Sequence, residues 1–278
     1  MDLLRLFQKG IRRYRSDGLV PLFHSTKLHL PFYFRRFLFG GEMRQDAIIK
    51  SRYLFQKIRF HSPAYPFDTI QVNPNDILKY NDTIQVEYGV GQIREGEWDR
   101  RENQQQLKNH WIVKGLQQRF EEKKDWEETR YYEKAKSDFE KGFNRWDYQN
   151  ITEFREVRCT FVDELYKSIR DNGYRPNFKA GHNVPEGDSK GSRSSWKHRL
   201  EPLVVIGRNG EIYWRDGYHR YTIARILELD SIPVQVLARH QEWQKKRDKV
   251  AQADTVSSLN CNLTKYADHP DLHMVISN

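Results

Sequence analysis

The sequence predicts an α/β (α+β) fold, and two observations towards its C-terminal end lead to this prediction. First, residues 203–215 consist of an apolar β-branched run, an Asn-Gly dipeptide and a run of alternating polarity, a combination typical of a β-hairpin. Second, the chain then changes to a helical period, and residues 231–237 return to the pattern of a strand. Strand, turn, strand, tight turn, helix and strand therefore follow one another within residues 203–237.

The composition indicates a globular chain whose positive charge is concentrated at one end. The 278 residues suffice for one large or two small domains, and 37% are hydrophobic and 31% charged. Of the net charge of +9, residues 1–60 hold 13 Lys/Arg and 4 Asp/Glu, whereas the remaining chain holds 34 of each sign. A nucleic-acid-binding domain carries its excess charge on the body that contacts the phosphates, so DNA binding by the C-terminal part is disfavoured.

The cysteines and the hydropathy pattern bear on compartment. Cys159 and Cys261 have no metal-type spacing and are expected to be unpaired thiols, and the sequence predicts no metal site. Charges such as Arg5 and Lys9 interrupt any apolar run of a signal peptide, and no uncharged stretch approaches the roughly 18 residues of a membrane-spanning helix. We therefore expect a cytoplasmic protein.

Residues 1–60 are predicted to form a basic, aromatic N-terminal segment. Residues 1–15 place five apolar side chains on one helical face and most of their cations off it, which is typical of an amphipathic basic helix. Residues 32–39 interleave five aromatic rings with Arg35 and Arg36. Two interpretations of this pattern stay open. The rings pack on the globular body, or residues 1–40 dock on a partner or on the anionic inner face of the membrane.

The middle of the chain is predicted to be mostly helical. Residues 70–73 indicate a short strand, and residues 61–78 are assigned to the core. Residues 79–150 are predicted as a helical insertion covering one side of the core, with one helix from about residue 104 to 121 and another from Asp125 to near Gly142. The inward side chains of this second helix would be Trp126, Tyr132, Ala135 and Phe139.

A further helix is predicted from Thr152, closed by Asn172-Gly173. Its inward stripe would be Val157, Phe161, Leu165 and Ile169. Residues 175–200 break all periodicity and are predicted as a long polar loop, either a mobile lid or a disordered spacer. Residues 241–278 are predicted as a charged surface helix carrying Trp243, followed by a weakly structured tail.

The turn between the hairpin and the next helix holds the candidate ligand-binding residues, Asp216, Gly217, Tyr218, His219 and Arg220. A glycine allows the sharp turn, and the free N–H groups and positive dipole end of the first helical turn favour an anion. The alternative stays open that Asp216 is only a cap or turn residue, that Gly217 only tolerates the backbone angle, and that His219 and Arg220 are solvated.

This turn, together with the short helix after it and Ile232-Pro233-Val234, resembles the signature of the ParB/sulfiredoxin superfamily, in a prokaryotic branch with a DGxHR motif. The resemblance implies a core of a small mixed sheet with flanking helices, formed by residues 61–78 and 151–240. Gly217, His219 and Arg220 match positions that bind the phosphates of CTP in partition proteins and of ATP in sulfiredoxins. Tyr218 stands where those relatives carry glutamate or cysteine, so neither of their reactions is implied.

The residues and the resemblance together predict binding of a nucleotide or another phosphorylated small molecule, with ATP or CTP and Mg as the expected ligands. Phosphotransfer or nucleotide hydrolysis is the expected chemistry if a reaction occurs, and Asp99 and His219 are the candidate catalytic groups. A surface turn is the competing interpretation for Asp99. The alternative functions are a non-enzymatic, partition-type DNA-binding or regulatory module, and a membrane-surface accessory scaffold.

Overall fold

A computed structural model describes residues 42–143, 148–177, 200–253 and 261–276. The chain divides into two compact units, Met1–Ala47 and Ile48–Asn278. Of the first unit, the structure describes only residues 42–47, the beginning of a helix. The basic aromatic residues 1–40 and most of the predicted polar loop 175–200 lie outside the described residues. In the second unit the predicted α/β class is confirmed, because helices flank a mixed β-sheet.

The sheet has seven strands in the described residues, and its main path runs in the order β1-β7-β5-β6-β2-β4. The strands are β1 (Thr69–Val72), β2 (Lys79–Tyr80), β3 (Gln92–Arg94), β4 (Gln105–Gln106), β5 (Leu203–Ile206), β6 (Ile212–Asp216) and β7 (Ile232–His240). Strand β7 pairs with β1 antiparallel, with β5 parallel and, at its C-terminal half, with β3 parallel. The predicted hairpin is β5–β6, which pair antiparallel.

The helices in the described residues are α1 (Glu42–Arg59), α2 (Trp111–Phe120), α3 (Arg130–Glu140), α4 (Ile151–Glu153), α5 (Thr160–Asn172), α6 (Tyr218–Ile226), α7 (Gln241–Ala251), α8 (Cys261–Thr264) and α9 (Pro270–Ile276). A π-helical segment, Phe154–Cys159, joins α4 to α5.

Strand β7 lies at the centre of the core, and all nine of its residues are buried. Alternate side chains of a strand point to opposite faces, so Val204 of β5 packs in one apolar cluster and Val205 in another. The first cluster includes Trp243 of α7, and the second includes Ile49 of α1. Both faces of the sheet are therefore covered, and even the polar residues of β7, Gln235, Arg239 and His240, are buried.

The range 79–150 is not only a helical insertion, because it also contributes β2, β3 and β4 to the sheet. The predicted helix from residue 104 begins later, at Trp111, since β4 and a 3₁₀ turn occupy the residues before it. The capping box predicted between Asp125 and Glu128 is present, but it caps the 3₁₀ turn Trp126–Glu128, and α3 begins only at Arg130 with Thr129 as its N-cap. Trp126 and Ala135 are buried as predicted, whereas Tyr131 rather than Tyr132 is the fully buried tyrosine.

The π-helical segment shifts the inward stripe of the helix that follows residue 150. Leu165 and Ile169 are buried as predicted, but Val157 is 37% exposed and Cys159 is buried in its place. A π-helical turn contains an extra residue, so the face that points inward before it differs in register from the face after it. The helix ends as predicted at Gly173, whose φ is 73°.

The predicted C-terminal helix is present as α7, but one of its faces is buried, and the predicted weakly structured tail contains α8 and α9 in the described residues. Trp243 and Arg247 of α7 are buried. The buried carboxylate of Asp271 in α9 accepts hydrogen bonds from Arg239 at 3.0 Å and from Trp243 Nε1 at 2.9 Å. Arg247 also forms an ion pair with Asp271. The second half of the tail is therefore anchored to the end of β7 and to α7.

Candidate ligand site at the start of α6

Gly217 forms the turn between β6 and α6 and adopts the left-handed conformation, with φ 81° and ψ 32°. A Cβ atom added there would lie 2.9 Å from Cβ and 3.0 Å from Cα of Pro202. Glycine is thus required both by the backbone angle and by the close approach of Pro202. The N–H of Gly217 donates to Oδ1 of Asp216 at 2.8 Å, which stabilises the turn.

The first turn of α6 presents the backbone N–H groups of Tyr218, His219 and Arg220. Its first helical hydrogen bond runs from Tyr221 N to Gly217 O at 3.1 Å, and no described side chain caps the helix. The N-terminal N–H groups of a helix lie at the positive end of its dipole. The geometry suits an anionic oxygen placed against this turn.

Tyr218 lies in an aromatic stack rather than facing solvent. Its ring stacks on His110 with centroids 3.9 Å apart and planes 7° from parallel, and it meets Tyr80 edge-on at 6.0 Å. His110 also caps α2, because its Nδ1 accepts from Ile112 N. Burial raises the pKa of Tyr218 above its ordinary value, so its hydroxyl is protonated at neutral pH. The stack connects the start of α6 to the start of α2.

His219 points towards α3 and the π-helical segment Phe154–Cys159. Its Nε2 lies 3.0 Å from Oη of Tyr131, and Nη2 of Arg158 lies 3.4 Å from both ring nitrogens. Burial lowers the pKa of His219 well below its ordinary value of 6.5, and the positive charge of Arg158 adds to this effect. The ring is therefore neutral at neutral pH. A histidine with so low a pKa is a weak base, which reduces its value as a proton shuttle.

Arg220 is engaged within the protein and does not face solvent. Its Nη1 pairs with Oε2 of Glu201 at 3.1 Å, and the two side chains are only 16% and 4% exposed. The guanidinium also donates to the Tyr174 hydroxyl at 3.2 Å, the Asn177 side chain at 2.7 Å and the Leu200 carbonyl at 3.2 Å. The interpretation of Arg220 as a solvated cation is therefore wrong. Its contacts hold the first turn of α6 against the segment that leads into β5.

Asp99, the other candidate catalytic group, lies at the opposite end of the hairpin. Its buried carboxylate accepts from Nε of Arg208 at 3.0 Å and from the Arg208 N–H at 2.7 Å, within the turn between β5 and β6. Burial raises the pKa of Asp99, but the hydrogen bonds from Arg208 outweigh this effect and lower it. The five residues of β6 span roughly 17 Å, so the structure does not bring Asp99 to His219. Asp99 anchors the hairpin turn.

Sequence reasoning missed the partners that surround the turn: His110, Tyr131, Arg158, Tyr174 and Glu201. All but Glu201 belong to segments at least 40 residues away in the chain, and no local period or motif marked them. Their contribution depends on the packing of α6 against α2 and α5.

Across residues 42–143, 148–177, 200–253 and 261–276, no group of three His, Cys, Asp or Glu side chains is placed to hold a metal ion. Over the same described ranges, no helix has the length and apolar character needed to cross a membrane.

Comparison with known proteins gave no relative: no family model matches the chain, and no curated protein or solved structure matches it significantly.

Proposed function

We propose that this protein binds a nucleotide or another phosphorylated small molecule at the N-terminus of α6. The proposal depends mainly on the geometry of this turn. Gly217 is fixed in the left-handed conformation against Pro202, and it leads into a nine-residue helix that no described side chain caps. Backbone N–H groups at such a helix start bind phosphate oxygens without a charged side chain. The resemblance of this turn to the phosphate-binding turn of the ParB/sulfiredoxin superfamily supports the same assignment.

In this proposal, the side chains of the turn position the backbone rather than contact the phosphate. The ion pair between Arg220 and Glu201 is neutral overall, so it adds little net attraction for an anion. The stack of Tyr218 on His110 and the hydrogen bond between His219 and Tyr131 fix the orientation of the first turn against α2 and α3. The phosphate would thus be held mainly by the N–H groups of residues 218–220 and the helix dipole.

Amide NMR spectroscopy of the full-length protein tests the proposal. ATP, CTP and inorganic pyrophosphate are added with and without Mg²⁺, and backbone ¹H–¹⁵N shifts are followed. We expect the largest downfield amide shifts at Tyr218, His219 and Arg220, because these N–H groups gain charged acceptors. The start of α7 is the internal control, since the N–H of Glu242 already donates to the ring of His240 at 3.1 Å.

Two further measurements are made alongside the NMR titration. Phosphate release measured in the same samples shows whether ATP or CTP is hydrolysed. Duplex DNA added in place of the nucleotide tests the partition-type alternative, whose affinity would fall steeply with salt. The proposal is wrong if millimolar triphosphate leaves the amides of residues 218–220 unshifted, or if the shifts cluster elsewhere in the chain.

A further inference from the structure

The C-terminal half of α1 belongs to the second unit, and one of its faces packs against the rest of that unit. Ile49 of this face is fully buried in the apolar cluster that contains Val205. Nη1 of Arg52 donates to the Tyr88 carbonyl at 2.7 Å, and Nε2 of Gln56 donates to the Gly91 carbonyl at 3.0 Å. Residues 49, 52 and 56 follow helical spacing, so these contacts fix the rotation of α1 about its axis.

The opposite face of α1 is apolar and exposed. Leu54, Phe55 and Ile58 are 62%, 73% and 84% exposed, and they are the three most exposed large apolar side chains of the described part of α1. Leu54 and Ile58 are four residues apart and lie side by side on the helix surface, with Phe55 next to them. Scattered apolar side chains are ordinary on protein surfaces, but three in one patch on one helix indicate a binding surface.

Cations border this patch on both sides. Lys50 lies four residues before Leu54 and Lys57 three residues after it, so both flank the same edge of the patch. Arg59, four residues after Phe55, flanks the other edge, and its side chain is 63% exposed despite an ion pair with Glu95. Residues 48–59 contain four Lys/Arg and no Asp/Glu. An apolar patch with two lysines along one edge and Arg59 at the other complements a surface with an apolar interior and anionic headgroups.

We infer that the outward face of α1, formed by Leu54, Phe55 and Ile58 with Lys50, Lys57 and Arg59, docks on an anionic membrane surface. A second copy of this chain is a poorer occupant, because a two-fold interface would bring the cations of both copies together. Nucleic acid is poorer as well, because exposed apolar side chains gain little from contact with phosphates. The inference rests on described residues alone and does not depend on the ligand site at α6.

Vesicle co-sedimentation of the full chain tests the inference. Phosphatidylcholine vesicles with and without phosphatidylserine are compared for the wild type, the double variant Phe55→Ser/Ile58→Ser and the control Leu78→Ser. Leu78 is a 54% exposed apolar residue outside α1, so its substitution removes exposed apolar area without touching the patch. We expect the double variant to bind phosphatidylserine vesicles at least about tenfold more weakly, and Leu78→Ser to bind like the wild type.

A charge variant, Lys50→Gln/Lys57→Gln, examines the electrostatic half of the inference. It should bind phosphatidylserine vesicles more weakly and show a smaller loss of binding as salt is raised, because fewer cations face the headgroups. If Phe55→Ser/Ile58→Ser binds the vesicles as tightly as the wild type, the inference is overturned, and any membrane affinity comes from other residues. Light scattering of the wild type and of Phe55→Ser/Ile58→Ser tests whether a second copy of the chain covers this face instead. A wild-type dimer that dissociates in the double variant would also overturn the inference.

Discussion

Replacing Arg220 distinguishes a ligand-contacting arginine from one that supports the turn. The Arg220 side chain is 16% exposed and pairs with Glu201, whose side chain is 4% exposed. Arg220→Ala would leave the Glu201 carboxylate buried without its cation. Removing one partner of a buried ion pair costs about 3–5 kcal/mol, mainly because the remaining charge stays desolvated.

The remaining hydrogen bonds of Glu201 place the expected cost at the lower end of that range. Its carboxylate still accepts from the Tyr174 hydroxyl at 3.2 Å and from the Asn177 N–H at 2.5 Å. We therefore expect Arg220→Ala to lower the free energy of unfolding by about 3 kcal/mol. For a unit of this size, such a loss corresponds to a melting temperature lower by roughly 6–12 °C.

Differential scanning fluorimetry and urea unfolding measure this loss, and a double variant provides the control. Arg220→Gln/Glu201→Gln leaves no buried charge, so it should be more stable than Arg220→Ala. Because the proposed phosphate contacts come from the backbone, Arg220→Ala should keep most of the rise in melting temperature caused by ATP or CTP. A loss of stability below about 0.5 kcal/mol, combined with loss of that rise, would show that Arg220 is a solvated phosphate ligand and refute the reasoning.

Two further predictions concern the packing around the site. Burial raises the pKa of Asp271, but Arg239 outweighs this effect and holds the pKa at about 2, below the ordinary 3.8. The ionised carboxylate therefore stabilises the fold fully above pH 3.8, and this stabilisation is lost as the pH falls through about 2. Asp271→Asn should therefore cost about 2–4 kcal/mol in urea unfolding at pH 7, and this difference from wild type should shrink towards pH 2; a difference independent of pH would contradict it. In α2, a Cβ added at Gly115 would lie 2.4 Å from Cβ of Tyr131, so Gly115→Ala should destabilise the protein by about 2–3 kcal/mol. The exposed neighbour Lys114→Ala is the control for helix propensity, and equal stability of the two variants would show that the contact relaxes freely.

Local chemistry in the sequence was enough to place the elements that form the candidate site. The hairpin β5–β6, the turn at Gly217 and the strand β7 lie where residues 203–237 predicted them. A turn dipeptide, a glycine at a strand-to-helix junction and a switch of hydrophobic period each act over a few neighbouring residues. The same holds for the capping box of Asp125 with Glu128 and for the glycine end of α5 at Gly173.

The tertiary structure alone decided what surrounds those elements. The sequence could not show that Arg220 pairs with Glu201, that Asp99 lies at the far end of the hairpin, or that Asp271 anchors the tail to Arg239. An isolated period of apolar residues also cannot reveal a π-helical turn, whose extra residue is set by packing on neighbouring helices. Local signals fix the backbone because they act between neighbours in the chain. The partner and burial of a charged side chain depend on groups far away in the sequence, and only the folded chain brings those groups together.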